Sequence, residues 1–246
     1  MDGNVCLVTG GGGGIGREVC ALLAGAGASV YLIDLPAAAA AGATTLAEVG
    51  LKVEAVGLDV TSRDEVDAFI FSTARSKGRI DALFCLAGVV RNAKLPAVTP
   101  EDFDLTMSTH ATGTLNFVRA VVPPMKERGY GRIVVTSSVA ALGTVGGTSY
   151  AAAKGAIEGM MRSAAIELAS HGITVNCVAP GIVDVGLYRQ QPEKQRNHML
   201  DRTPMRRAGE PREIAECYRF LGSREASFIT GQTLYVCGGA SIGAFV

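Results

Sequence analysis

Short β-branched or apolar runs alternate with helix-like segments along the whole chain, and this alternation restricts the fold more than any other feature. The runs cover residues 5–8, 29–33, 52–56, 80–85, 132–136, 174–178 and 233–236. Helix-like segments lie between them at 15–25, 37–49, 63–76, 101–125, 149–170 and 211–221. A strand covered on both faces reads as a continuous apolar run, and the first runs do. Strand and helix in turn, with short connections, predict a doubly wound α/β fold: a seven-stranded parallel sheet with helices on both faces and right-handed crossovers. The length of 246 residues suits one large domain over 1–246, and 48% hydrophobic content supplies its core. The one long irregular stretch, 181–209, is expected to be a substrate lid.

Local chemistry sets several boundaries. Thr61 and Ser62 precede acids at 64 and 65, which predicts a helix N-cap there. Thr99 followed by Pro100 places a cap and then proline at the first helical position. Pro123 and Pro124 are expected to end or kink the long helix over 101–125. The six cysteines show no CxxC spacing, and four of them (Cys6, Cys85, Cys177 and Cys237) fall in or beside apolar runs; core packing in a reducing compartment is expected, with no metal. Lysine plus arginine and aspartate plus glutamate balance at 23 each, so no charge footprint points to nucleic acid or an anionic membrane. No basic and apolar leader precedes the first strand, and no apolar run reaches the roughly 18 residues of a spanning helix. A cytoplasmic protein is the expectation.

The first strand runs into Thr9-Gly10-Gly11-Gly12-Gly13-Gly14-Ile15-Gly16 and then a helix. Glycines there let the backbone turn sharply and approach a pyrophosphate, whose charge meets the helix N-terminus. Gly10, Gly14, Ile15 and Gly16 are the candidate contacts. Asp34 closes the second strand, where a carboxylate accepts from the hydroxyls of an adenosine ribose and repels a 2′-phosphate. Its neighbours Leu35 and Pro36, and Gly13 in the loop, offer no cation to hold that phosphate. NAD rather than NADP is the cofactor expected.

Tyr150 and Lys154 stand at i, i+4 near the start of a helix, on one face. A phenol titrates near pH 10, and an ammonium one turn away plus a positive nicotinamide ring would lower it. It would then serve as acid for ketone reduction and base for alcohol oxidation.

These pieces, with Leu58-Asp59-Val60, Ala87-Gly88, Gly131-Arg132-Ile133-Val134, Ser137-Ser138, Val175-Asn176, Pro180-Gly181 and Gly238-Gly239, resemble the short-chain dehydrogenase/reductase family in its compact single-domain branch, end to end. The resemblance implies a Rossmann-like fold and roles for further residues. Asp59 and Val60 would flank the adenine, and Ala87 and Gly88 would lie along the adenosine. Ser138 would bind the substrate oxygen beside Tyr150. Lys154 would also hold the nicotinamide ribose, and Pro180, Gly181 and Val183 would pack around the nicotinamide. It also implies a homotetramer, paired through the helices over 101–125 and 149–170; Ala151, Ala152, Gly155 and Gly159 give the second a small-residue face.

Four positions depart from the family pattern: Leu86 replaces an asparagine, Val185 a threonine, Cys237 an aspartate, and His110 an asparagine that supports the lysine through a water. An imidazole titrates near pH 6.5, so His110 is a fourth candidate catalytic residue, able to carry the proton outward; the alternative is a histidine that only packs or bonds locally. The expected partner is a small-molecule alcohol or ketone, in a pocket framed by 89–92, 139–147 and the lid. The lid cations Arg189, Lys194, Arg196 and His198 fit either recognition of an anionic substrate group or a solvated face. A 3-oxoacyl-thioester reductase is the runner-up, and a catalytically impaired NAD-binding regulatory protein is a rival from another class.

Overall fold

The structure is a computed structural model and describes residues 1–242. In chain order the strands are β1 (Val5–Thr9), β2 (Ser29–Asp34), β3 (Glu54–Gly57), β4 (Ala82–Cys85), β5 (Gly131–Thr136), β6 (Ile173–Pro180) and β7 (Thr233–Val236). The helices are α1 (Gly14–Gly25), α2 (Pro36–Glu48), α3 (Arg63–Lys77), α4 (Pro100–Met107), α5 (Gly113–Arg128), α6 (Thr148–Leu168), α7 (Gly186–Arg189), α8 (Glu193–Asp201) and α9 (Pro211–Leu221). All seven strands pair in parallel in one sheet of order β3-β2-β1-β4-β5-β6-β7.

Side chains that alternate along each strand make two cores. Leu7, Ile33, Leu83, Ile133 and Val175 face one way, among residues of α3, α5 and α6 such as Val66, Phe117 and Ile157. Val8, Leu32, Phe84, Val134 and Val178 face the other way, against α1, α2 and α9 through Val19, Leu46 and Tyr218. Burial on both faces is what makes these strands read as unbroken apolar runs. The order reverses between β1 and β4, so the connections leaving those two strands diverge. A crevice opens beyond their carboxyl ends.

Three expectations need correction. The helix expected over 101–125 is two helices, α4 and α5, separated by a π turn at Ser108–Thr112. One extra residue widens the turn while the apolar pattern continues, so the sequence shows no break. The helix also does not end at Pro123 and Pro124, which lie inside α5; it stops at Gly129, whose φ of 62° suits a glycine cap. Burial of Val121 and Met125 and an Arg119–Asp67 ion pair at 2.8 Å hold that last stretch to its neighbours. Finally, the 181–209 segment carries α7 and α8 and is not irregular throughout. Of the two expected caps, Thr99 accepts from the amide of Asp102 at 3.1 Å. Ser62 makes no such bond, and its neighbour Thr61 donates to Asp59 Oδ1 through both N and Oγ1.

Strand β4 starts two residues later than the apolar run, and Asp81 just before it bonds to both neighbouring strands through its backbone. Its fully buried carboxylate accepts from the amide of Val5 at 2.8 Å and takes a two-pronged bond from Arg79 at 2.6 Å, with Arg79 30% exposed. Removing one partner of a buried pair strands the other charge. Arg79→Ala is expected to cost about 3–5 kcal/mol in urea denaturation. Arg119→Ala, which breaks an exposed pair, should cost less than about 1 kcal/mol. Equal losses would contradict this account.

Candidate active site

Beyond the carboxyl end of β1 the chain folds into a cradle where no side chain fits. A Cβ on Gly10 would lie 2.6 Å from the amide nitrogen of Ala87, and one on Gly16 would strike the carbonyl oxygen of Gly10. Gly10 has φ +69°, a conformation glycine adopts freely. Gly13 caps α1 without a side chain, so the first-turn amides face outward as donors. Asp34, at the end of β2, accepts from the amide of Gly12 at 3.0 Å through Oδ2 and from that of Leu35 at 2.8 Å through Oδ1. The carboxylate therefore braces the loop and keeps lone pairs for a ligand. Thr9 Oγ1 accepts from the amides of Leu86 and Ala87 at 3.2 and 3.3 Å, drawing Ala87 and Gly88 up to the cradle. Close backbone approach, free helix-end donors and a carboxylate at the rim fit a dinucleotide.

The other expected contacts surround this cradle unevenly. Asp59 is exposed, while Val60 is buried with its Cγ2 2.6 Å from where a Cβ of Gly113 would stand. Pro180 ends β6, Gly181 donates to Val236 O at 3.0 Å, and Val183 is buried beside Gly209. Val185 packs onto the start of α1, with Cγ1 2.6 Å from a Cβ placed on Gly14.

Ser138 follows β5 in extended conformation, and its Oγ accepts from the amide of Ala140 at 3.1 Å. Tyr150 and Lys154 lie in the first two turns of α6, with Lys154 Nζ 5.4 Å from the Tyr150 ring centre. Lys154 is 2% exposed and donates to the carbonyl of Thr136 at 2.7 Å. Burial pushes its ammonium down to about 7. Burial also raises the Tyr150 phenol, against a smaller downward pull from Ser138. The expected lowering of the phenol is thus not a property of the chain's own groups, because the burial that shelters the site opposes any charge in it.

His110 sits in the π turn, 3% exposed, its ring edge-on to Tyr150 with centres 5.2 Å apart. Its Nε2 lies 2.7 Å from the carbonyl oxygen of Val89 and 3.1 Å from that residue's amide. Two acceptors would repel at 2.7 Å, so Nε2–H donates to the carbonyl and Nδ1 carries the lone pair. Nδ1 is buried with no partner among the described residues. Burial and the Lys154 charge hold the ring down to about 3, which corrects the expectation of titration near 6.5. A Cβ on Gly88 would collide with the ring.

Sequence reasoning missed three supports. Thr136 donates to Cys85 O and pairs with the buried Tyr218 hydroxyl, each at 2.6 Å. Asp34 ties to Gly12. The third support is Ser137, which donates to Glu158 at 2.6 Å; the i+4 stripe Tyr150, Lys154, Glu158 was the available signal. On the substrate side, 93 and 147 bridge the two inner segments, and Leu142 and Val145 are exposed at the rim. Arg189 is engaged by Asp184 at 3.0 and 3.1 Å, and Lys194 and His198 share an exposed face with Glu193 and Asp201. Five of the six cysteines are buried, and no cluster of metal-ligating side chains exists among the described residues. Among them no helix is long and apolar enough to cross a membrane.

A family model described as enoyl-(acyl carrier protein) reductase matches residues 11–241. The chain is 38% identical over 243 residues to (2S)-((R)-hydroxy(phenyl)methyl)succinyl-CoA dehydrogenase subunit BbsD of Thauera aromatica, covering 98% of each. It is also 38% identical over 245 residues to the 3-oxoacyl-(acyl-carrier-protein) reductase FabG of Thermotoga maritima, covering 98% of this chain and 99% of that one. The crystal structure of levodione reductase superposes with a TM-score of 0.90 at 31% identity over 98% of both chains. The chain belongs to the short-chain dehydrogenase/reductase family of oxidoreductases, which use nicotinamide cofactors.

The buried neutral imidazole predicts acid sensitivity. In the unfolded chain His110 takes a proton near pH 6.5, and in the folded protein only near 3. The unfolded state therefore binds more protons across that window, and stability falls as pH drops through it, by up to about 1.4 kcal/mol per unit. Denaturation of His110→Asn at pH 7 and pH 5 should show a smaller loss than the unaltered protein; equal losses would refute the assignment.

Proposed function

We propose that the protein is an NAD-dependent oxidoreductase interconverting a secondary alcohol and a ketone. The convergence of Ser138, Tyr150 and a buried Lys154 beside the glycine cradle carries this reading. A bound nicotinamide cofactor supplies or accepts the hydride. The chain's part is to hold the oxygen and move its proton. Ser138 donates to the substrate oxygen, Tyr150 gives or takes the proton at its phenol oxygen, and Lys154 supplies positive charge next to that phenol. Gly10, Gly14, Ile15 and Gly16 hold the pyrophosphate, and Asp34 takes the adenosine ribose. Asp59, Val60, Ala87 and Gly88 line the adenosine side, and Pro180, Gly181 and Val183 back the nicotinamide. His110 acts as a fixed neutral group that pins Val89, at the wall beside Tyr150, and offers Nδ1 as an acceptor.

Acyl thioesters are the substrate class that the named relatives favour, since BbsD and FabG both carry one in their names. A 3-hydroxyacyl thioester is itself a secondary alcohol, so the runner-up sits inside the broader reading. The regulatory-scaffold alternative loses ground because the three proton-handling side chains keep a workable arrangement. We also read the protein as a cytoplasmic homotetramer with a lid over 181–209. Gly155 and Gly159 on α6 have no atom within 4 Å of an added Cβ, which leaves that face open to a partner helix.

Two experiments test this reading. With acetoacetyl-CoA and a panel of cyclic and linear ketones, Tyr150→Phe should lose at least about 100-fold in kcat while NADH binding by fluorescence is retained. Loss of binding together with activity would point to a structural role. Asp34→Ala should lower kcat/KM for NADH at least about tenfold, or 1.4 kcal/mol, and shift the ratio toward NADPH. An unchanged ratio would remove Asp34 from cofactor choice.

A further inference from the structure

Thr136 closes strand β5, Ser137 and Ser138 follow it, and the first two of these three residues are tied to helix α6. Thr136 gives its carbonyl to Lys154 at 2.7 Å. Ser137, 1% exposed, donates its hydroxyl to Glu158 Oε1 at 2.6 Å. Ser138, the third, is the candidate substrate donor. On the helix the matching residues are Tyr150, Lys154 and Glu158, one turn apart on one stripe. The Glu158 side chain is only 13% exposed, with Arg162 at 3.7 Å on its outer side and itself 59% exposed. The Glu158 oxygen accepts the Ser137 hydroxyl in a short, well-enclosed bond. That bond falls on the residue directly before Ser138, where the chain leaves the sheet and bends into the turn at Val139–Leu142.

We infer that Glu158 is a positioning residue of the active site: through Ser137 it fixes the exit of β5 against α6 and so sets where the Ser138 hydroxyl stands relative to Tyr150. This rests on the reading of Ser138 and Tyr150 given above. Glu158 touches neither substrate nor cofactor in this account. Its effect passes through one hydroxyl and one peptide unit, and catalytic geometry is sensitive on that scale, since a displacement of about 1 Å can cost 100-fold.

The amide of Ala140 reports the position of Ser138 without any turnover, because it donates to Ser138 Oγ at 3.1 Å. Its hydrogen exchange should be followed by NMR in the unaltered full chain and in Glu158→Ala, Glu158→Gln and Ser137→Ala. Exchange at Ala140 should quicken at least about tenfold in Glu158→Ala and Ser137→Ala, as a loss of about 1.4 kcal/mol would give. In Glu158→Gln, whose amide oxygen still accepts from Ser137, it should stay within about twofold, a shift of some 0.4 kcal/mol. With acetoacetyl-CoA and NADH, kcat should fall about tenfold in the first two and recover in the glutamine variant, with the NADH dissociation constant unchanged; the double variant Ser137→Ala/Glu158→Ala should fall no further. Unaltered exchange and kcat in Ser137→Ala would overturn the inference, and that variant decides should Glu158→Ala not fold. So would additive losses in the double variant. If Ala140 responds as expected and Tyr150→Phe keeps its activity, the catalytic reading fails while the structural link stands.

Discussion

A lysine ammonium enclosed by protein, with its hydrogen bond running to the neutral carbonyl of Thr136, is the constraint around which the rest of the site is arranged. Burial disfavours the charged form, and here it brings the ammonium down to about 7. The surroundings must therefore be rigid enough to keep it near Tyr150. Thr136 provides much of that rigidity. Its carbonyl holds α6, its hydroxyl reaches across to Cys85 on β4, and the same hydroxyl meets Tyr218 from α9. One threonine joins the neighbouring strand to a helix on each face of the sheet.

The sheet order explains why these elements meet at all. Chain reversal between β1 and β4 sends α1 and α5 to opposite faces, and the loops that leave the strand ends stay together at one edge. The glycine cradle comes from β1, the Asp34 brace from β2, Gly88 from β4, Ser138 from β5 and the Pro180–Gly181 step from β6. Each is a short excursion from a buried strand whose register is held by parallel pairing. Precision at the site is thus inherited from the core.

How much of this could be read from the sequence varied with the range of the interaction responsible. Parallel strands and capped helices such as α9, which begins at Pro211 as expected, follow from local periodicity and from proline at the first turn. Tyr150 and Lys154 share a helix face by arithmetic alone. The π turn at Ser108–Thr112 was hidden because widening a helix by one residue leaves its composition unmarked. Pro123 and Pro124 misled for a related reason: local preference says stop, and burial around Met125 says continue. The Asp34–Gly12 and Ser137–Glu158 bonds join residues 22 and 21 positions apart, from different elements, and no spacing rule reaches that far. The electrostatics were the least legible, since depth of burial decides the sign of the shift at Tyr150 and the size of it at His110.

The contact between Gly88 and the His110 ring has a consequence for how this pocket could be remodelled. The imidazole occupies the volume that any side chain at 88 would need, so the two positions form a complementary size pair drawn from β4's exit and the turn before α5. A bulkier residue at 88 demands a smaller one at 110, and the wall at Val89 would then lose the group that anchors its carbonyl. Libraries that vary this wall would do better to change 88, 89 and 110 together than one at a time, because single substitutions at 88 meet a clash that no rotamer of the newcomer removes.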